Sequence, residues 1–289
     1  MAGSLDGKIA LVTGATNGIG RATARELARR GARVLLVARD RVRGDATASE
    51  IREVSGGRAP DLLLADLSSQ SEVRRLAQEV RERTPRLDLL VNNAGAIFAD
   101  REVSADGLEM TFALNHLAYF LLTLELLPLL EEGSTSRIVN VSSMAHERGA
   151  IDFDDLQNER RYWMWRAYRQ SKLANVLFTR ELARRLGGRG VSTNALHPGV
   201  IASGFGRNGR GVFSRLVALG APFLASPERG ARTTLHVATA PELQGITGRY
   251  FSDCREKTPS RAARDDDAAL RLWQISENLT APSTRLPPT

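Results

Sequence analysis

A single cysteine, Cys254, stands in 289 residues, so no internal disulfide can form. No Cys/His group has zinc-ligand spacing either. Both absences fit a reducing compartment, and the expected location is cytoplasmic. Lysine is almost missing. Of 40 basic residues only Lys8, Lys172 and Lys257 are lysines, and the rest are arginine. The start of the chain, MAGSLDGK, lacks the apolar core of a signal peptide. The most apolar run, residues 117–130, is interrupted by Thr123, Glu125 and Pro128. It falls short of the roughly 20 residues that cross a bilayer, so it is expected to be a buried helix and not a membrane span.

What is present is ordinary globular composition: 42% hydrophobic, 25% charged, 25 Gly and 11 Pro. Disordered, collagen-like and disulfide-stapled chains are thereby excluded. The formal charge is +7. The arginines are spread along the chain and interleaved with acids, so no nucleic-acid partner is expected.

Short apolar runs alternate with longer helical patterns. Residues 8–13, 33–38, 61–65, 87–92, 137–142 and 192–197 read as strands, with 249–251 as a possible seventh. They are apolar throughout, as strands covered on both faces are. Helices are predicted over 19–30, 69–84, 106–130, 165–186 and 265–279. This alternation predicts one α/β domain over 1–280, a Rossmann-type doubly wound parallel sheet with ligands at one sheet edge. Substrate-pocket segments are expected at 145–166 and 201–226, and a flexible tail at 281–289.

The first strand runs straight into Gly14-Ala15-Thr16-Asn17-Gly18-Ile19-Gly20. Glycines allow a tight turn against a pyrophosphate, and the helix that follows offers free N–H groups. About 20 residues on, at the end of the second strand, stands Ala38-Arg39-Asp40. Ala38 cannot hold ribose hydroxyls as an acid would, whereas Arg39 can grip a 2′-phosphate. NADP(H) is therefore expected over NAD(H). Asp40 reads as a helix cap. A second constellation is Tyr168 and Lys172, four apart on one helix face. An ammonium beside a phenol favours the phenolate, so a lowered tyrosine pKa is expected. Ser143 ends the fifth strand, where it can hydrogen-bond a carbonyl. Asn115 is a polar amide in an apolar helix, either structural or a water holder in a proton relay.

TGATNGIG, NNAG at 92–95, Asn115, Ser143, Tyr168/Lys172 and HPGV at 197–200 occur in that order. Together they resemble the short-chain dehydrogenase/reductase family. ARD at 38–40, NHLAYFLLT at 115–123, RIVNVSSMAH at 137–146 and AYRQSKLANVLFTRELARRL at 167–186 are similar to its retinol-dehydrogenase-like branch.

The resemblance implies Tyr168 as proton donor, Lys172 as pKa-lowering and ribose-binding residue, Ser143 as carbonyl binder and Asn115 as relay anchor. It implies that the turn from Gly14 to Gly20 lines the pyrophosphate, with Thr16, Asn17, Gly18 and Ile19 between. Asp66 and Leu67 would border the adenine. Asn93, Ala94 and Gly95 would flank adenosine and ribose, and Pro198, Gly199 and Val200 the nicotinamide end. The implied activity is an NADP(H)-dependent dehydrogenase or reductase. An epimerase or dehydratase, or a dinucleotide-sensing regulator without chemistry, are the alternatives. Phe153, Leu156, Tyr162, Trp163, Met164 and Trp165 line one expected pocket segment, and residues 204–224 form a Gly-hinged apolar stretch that suits a lid. These point to a lipophilic aldehyde or ketone. The helix at 106–130 is apolar on so many faces that a homodimer or homotetramer through it is expected.

Overall fold

A computed structural model describes residues 5–199 and 226–287. Eight strands form one sheet: β1 (Ile9–Val12), β2 (Arg33–Ala38), β3 (Asp61–Leu64), β4 (Leu89–Asn92), β5 (Ser136–Val141), β6 (Val191–His197), β7 (Tyr250–Ser252) and β8 (Arg255–Glu256). Their order is β3-β2-β1-β4-β5-β6-β7-β8. All neighbours are parallel except β7 and β8, a two-residue antiparallel edge that the seven expected strands did not include. A strand that short carries no periodicity to read.

Successive residues of β1 feed opposite layers. Ile9 and Leu11 pack with α3 (Gln70–Arg83), α5 (Ala118–Glu131), α6 (Met164–Leu186) and α8 (Asp266–Thr280). Ala10 and Val12 pack with α1 (Gly18–Arg29) and α7 (Pro227–Thr239). The helix α2 (Arg41–Val54) lies beside α1. Asp40 caps α2 as expected, accepting from the Arg43 amide at 2.9 Å. The β4, β5 and β6 part of the sheet is bolted to α5 and α6 by a buried amide layer. Asn92 Nδ2 donates to Thr123 Oγ1 and Asn140 Oδ1, and Asn140 Nδ2 donates to Thr179 Oγ1 and Thr193 Oγ1.

Three expectations need correction. The helix predicted over 106–130 is interrupted. A short turn, α4 (Met110–Phe112), leads into a π turn over Ala113–Leu117 before α5 begins. Apolar residues on nearly every face hide such a change of pitch. Residues 110–131 are the one described helical run long and apolar enough to cross a membrane, but 89% of its most apolar stretch is buried inside the protein.

The second correction follows from that burial. Within a single chain α5 is already covered: Phe120 meets Trp273 of α8 at 4.9 Å between centroids, and α3 packs along its other side. Among the described residues α5 leaves no apolar face exposed, so this helix by itself gives no reason for a second copy.

The third concerns the end of the chain. Residues 281–287 are docked, not frayed. Ser283 N donates to the buried Glu125, Leu286 is buried, and Arg185 donates to the carbonyls of Leu286 and Pro287. Arg185 also lies 4.4 Å over Trp273 and is paired with the fully buried Glu181 at 2.6 Å.

Removing one member of a buried pair strands the other charge and costs about 3–5 kcal/mol. Glu181→Ala should therefore lower unfolding stability in urea by roughly that amount. Glu181→Leu combined with Arg185→Leu should recover most of the loss.

Candidate active site

The C-terminal ends of β1, β4, β5 and β6 converge on one edge. At the first, the Gly14 turn is locked to the β4 end. Asn93 Nδ2 donates to the carbonyls of Thr13 (2.8 Å) and Gly14 (3.2 Å). In return Thr13 Oγ1 accepts from the amides of Asn93 and Ala94. The approach is so close that a Cβ on Gly14 would meet Ala94 Cα at 2.7 Å. A Cβ on Gly20 would meet the Asn93 amide and the Gly14 carbonyl nearer still. Gly14 also has φ +61°, in the left-handed region. Asn17 caps α1 through the Gly18 amide. The amides of Ile19 and Gly20 reach no acceptor among the described residues, and the first turn of α1 carries no acid. Such a turn suits a pyrophosphate. Thr16 and Asn17 lie at its surface.

Arg39 is exposed at the end of β2, and no described residue pairs with it, while Ala38 beside it is buried. Asp66 follows β3 and accepts from the Ser68 amide and hydroxyl. Leu67 next to it is buried. Pro198 and Gly199 follow β6, with Gly199 at φ +93°. Val200, the expected lid at 204–224 and all of the expected pocket segment at 201–226 except Ser226 lie outside the described residues.

Asn115 sits on the π turn, and its side chain is fully employed. Oδ1 accepts from Ala96 N, and Nδ2 donates to Ala96 O and Ser171 Oγ. The amide therefore fixes the chain after Gly95. A π turn displaces the backbone ladder and is often found at functional sites. Of the two readings of Asn115, the side chain takes the structural one.

Ser143, Tyr168 and Lys172 come together although 24 residues separate Ser143 from Tyr168 in the chain. The Ser143 hydroxyl stands close enough to the Tyr168 phenol to favour its ionised form. Lys172 Nζ lies 5.7 Å from the Tyr168 ring centre and donates to Val141 O at 3.0 Å. Both side chains are buried. A Cβ placed on Gly95 would stand 3.5 Å from Nζ, so the ammonium overlooks the β4 end. Burial pushes the phenol up to about 12, opposed by the Ser143 hydroxyl. Burial also pulls Lys172 down to about 7. Burial dominates both groups, so the expected lowering of the tyrosine is not seen in the protein alone.

Further residues complete the site. Ser142 Oγ donates to Lys172 O, tying α6 to β5. Ser171 holds Asn115, Thr13 holds the β4 end, and Tyr119 lies under Lys172 at 5.9 Å. Thr13 and Ser142 gave partial notice as polar residues ending strands. Tyr119 gave none, being one more ring in an apolar run.

The short chain dehydrogenase model matches residues 8–210. The chain belongs to that family. It is 44% identical to mouse retinol dehydrogenase 14 over 291 residues, covering 95% of this chain and 86% of that protein. Against human retinol dehydrogenase 12 it is 46% identical over 272 residues, covering 94% and 86%. The crystal structure of an uncharacterized protein from Mycobacterium paratuberculosis superposes with a TM-score of 0.80 at 35% identity, covering 99% of this chain and 97% of that one. The Pseudomonas aeruginosa RhlG/NADP active-site complex gives 0.67 at 31% identity, covering 86% and 95%. The single Rossmann-fold domain of this oxidoreductase family is thereby shown, with a retinol-dehydrogenase-like sequence.

The depressed Lys172 pKa has a consequence for stability. Between about 7 and the ordinary lysine value the unfolded chain binds a proton that the folded chain does not. Wild-type stability should therefore rise with pH through this window relative to Lys172→Met, by on the order of 1 kcal/mol per pH unit. Below pH 7 the difference should level off. Parallel urea titrations of the two proteins read it directly.

Proposed function

We propose that this chain is an NADP(H)-dependent oxidoreductase that interconverts a lipophilic aldehyde or ketone with its alcohol. The observation that carries the chemistry is the convergence of Ser143, Tyr168 and Lys172 on one sheet edge beside a turn built for a pyrophosphate. The free turn amides, the glycine cradle and a buried ammonium with donors to spare all fit a dinucleotide. When bound, the nicotinamide supplies or removes hydride at the carbonyl carbon. Ser143 orients the carbonyl oxygen. Tyr168 gives that oxygen a proton in reduction and takes one in oxidation. Lys172 lowers the free energy of the phenolate and binds ribose. The added charge of an oxidised nicotinamide would draw the Tyr168 pKa down from its high value in the protein alone.

The phosphate on the 2′ position is assigned to Arg39, a cation with no partner among the described residues, next to Ala38, where an acid would select NAD(H). Solved relatives bound to NADP or NADPH include the RhlG complex and chains from Shigella flexneri, Beutenbergia cavernae and Escherichia coli. The two alternatives weaken on the same ground. A sensor without chemistry has no use for the serine, tyrosine and lysine together. The curated relatives matching almost the full chain are dehydrogenases, not epimerases.

The lipophilic substrate rests on the rim. The insert after Ser143 divides in two. Phe153 is held under Arg271 and Tyr162 donates to Phe98 O, so these rings pin the insert to the domain. Trp165 meets the Tyr168 ring edge-on at 6.3 Å, Trp163 is about half exposed under Arg169, and Met144, about half exposed, follows Ser143 in the chain. A homodimer or homotetramer and a cytoplasmic location complete the reading. The first is supported by family membership alone, the second by the lone cysteine.

Tyr168→Phe should reduce turnover on the best carbonyl by at least about 10²–10⁴-fold with NADPH affinity little changed. Near-wild-type turnover would refute the assignment. Across a series of straight-chain aldehydes kcat/KM should climb up to roughly fourfold per methylene until the pocket is full. A flat series, or a preference for charged substrates, would refute the lipophilic class. Arg39→Ala should abolish the preference for NADPH over NADH, and a variant that kept it would remove Arg39 from this role.

A further inference from the structure

Lys172 is the buried cation on which the proposed chemistry turns, and it has no carboxylate partner. Its side chain is 2% exposed, and its one hydrogen bond among the described residues goes to Val141 O. The helix α6 packs against the π turn, α4, β5, β6, the 3-10 turn after Ser143, the turn at 262–264 and α8. The charged or titratable groups on or capping those elements are Glu109, His116, Arg137, His197, His146, Glu147, Arg148 and Arg264, with Asp265, Asp266, Asp267, Arg271 and Glu277 on α8. None of them forms an ion pair or hydrogen bond with Lys172, and burial is what moves its pKa.

What the ammonium does have is two aromatic faces. Nζ lies 5.7 Å from the Tyr168 ring centre and 5.9 Å from that of Tyr119. Tyr119 is 1% exposed, and its hydroxyl has no hydrogen-bond partner among the described residues. A hydroxyl buried without a partner is a cost that Phe would not carry. Its ring, however, stands where a counter-ion would.

We propose that Tyr119 is a positioning residue for Lys172, its ring face holding the buried lysine in the ammonium form in place of a carboxylate. The distinction matters chemically. A carboxylate would occupy the N–H donors and cancel the charge that Tyr168 needs. A ring quadrupole attracts the cation from one side, leaves its donors free and adds no negative charge of its own. The hydroxyl of Tyr119 contributes nothing to this effect. The inference deepens the catalytic reading given above and rests on it for its purpose, but not for its test.

The test uses the scarcity of lysine. With only Lys8, Lys172 and Lys257 in the chain, [13C]lysine labelling gives three side-chain signals, and Lys172→Arg assigns the one that titrates low. In wild type that signal is expected to titrate near 7. In Tyr119→Leu it should titrate roughly one pH unit lower, the shift expected of a desolvated cation–π contact. Tyr119→Phe, which keeps the ring, should restore the wild-type midpoint. An unmoved midpoint in Tyr119→Leu, or a Phe variant that shifts as Leu does, would overturn the proposal. If Tyr119→Leu unfolds, Tyr119→Met fills the same space with a flexible side chain and carries the same expectation. NADPH binding to wild type, followed separately by fluorescence, reports on the catalytic reading. The lysine titration needs no cofactor, so the two can fail independently.

Discussion

An ammonium buried beside two phenol rings, with a single carbonyl as its hydrogen-bond partner among the described residues, sets the terms for the rest of this site. Taking a charge out of water is expensive, and the protein does not offset it with an opposite charge. Everything nearby acts to keep Lys172 where it is despite that expense. Val141 O ends β5 beneath it, and Ser142 ties the α6 backbone to the same strand. Asn115 and Ser171 join the π turn to α6 and to the loop after Gly95. The amide layer of Asn92 and Asn140 anchors α5 and α6 to the sheet behind.

The same economy runs through the nucleotide side. Asn93 does not reach outward; it closes the Gly14 turn against β4 and so shapes the cradle with its own side chain. Thr13 returns the favour through two amides. With these interactions satisfied internally, the amides of Ile19 and Gly20 and the guanidinium of Arg39 are without partners among the described residues. A site of this kind is defined by which polar groups the protein leaves unpaired. The C-terminal segment shows the opposite device. Arg185, Glu181 and Trp273 use their whole capacity to fasten residues 281–287 across α5, which is how one chain covers a helix that is apolar all round.

The readable parts of the sequence were those where local chemistry and position agree. The glycines between β1 and α1, Asp40 as a cap, and the Tyr168/Lys172 spacing each express a constraint met within a few residues. Six expected strands fell within two residues of their places because parallel strands covered on both faces are apolar runs bounded by polar ones. The helices α2 and α7 left weaker traces. The π turn at Ala113–Leu117, the docked tail and the coverage of α5 left none, because each depends on partners far along the chain.

By itself the sequence determined the doubly wound sheet, the phosphate turn and the identity of the reacting side chains. Periodicity and i, i+4 spacing are local, and they survive without knowledge of the neighbours. Tertiary structure alone decided the electrostatics. The phenol was expected to be lowered by its lysine, yet burial raises it and depresses the lysine in turn. Desolvation depends on how much protein surrounds a group from every direction, and that quantity exists only once α5, α6 and the sheet have closed around Lys172.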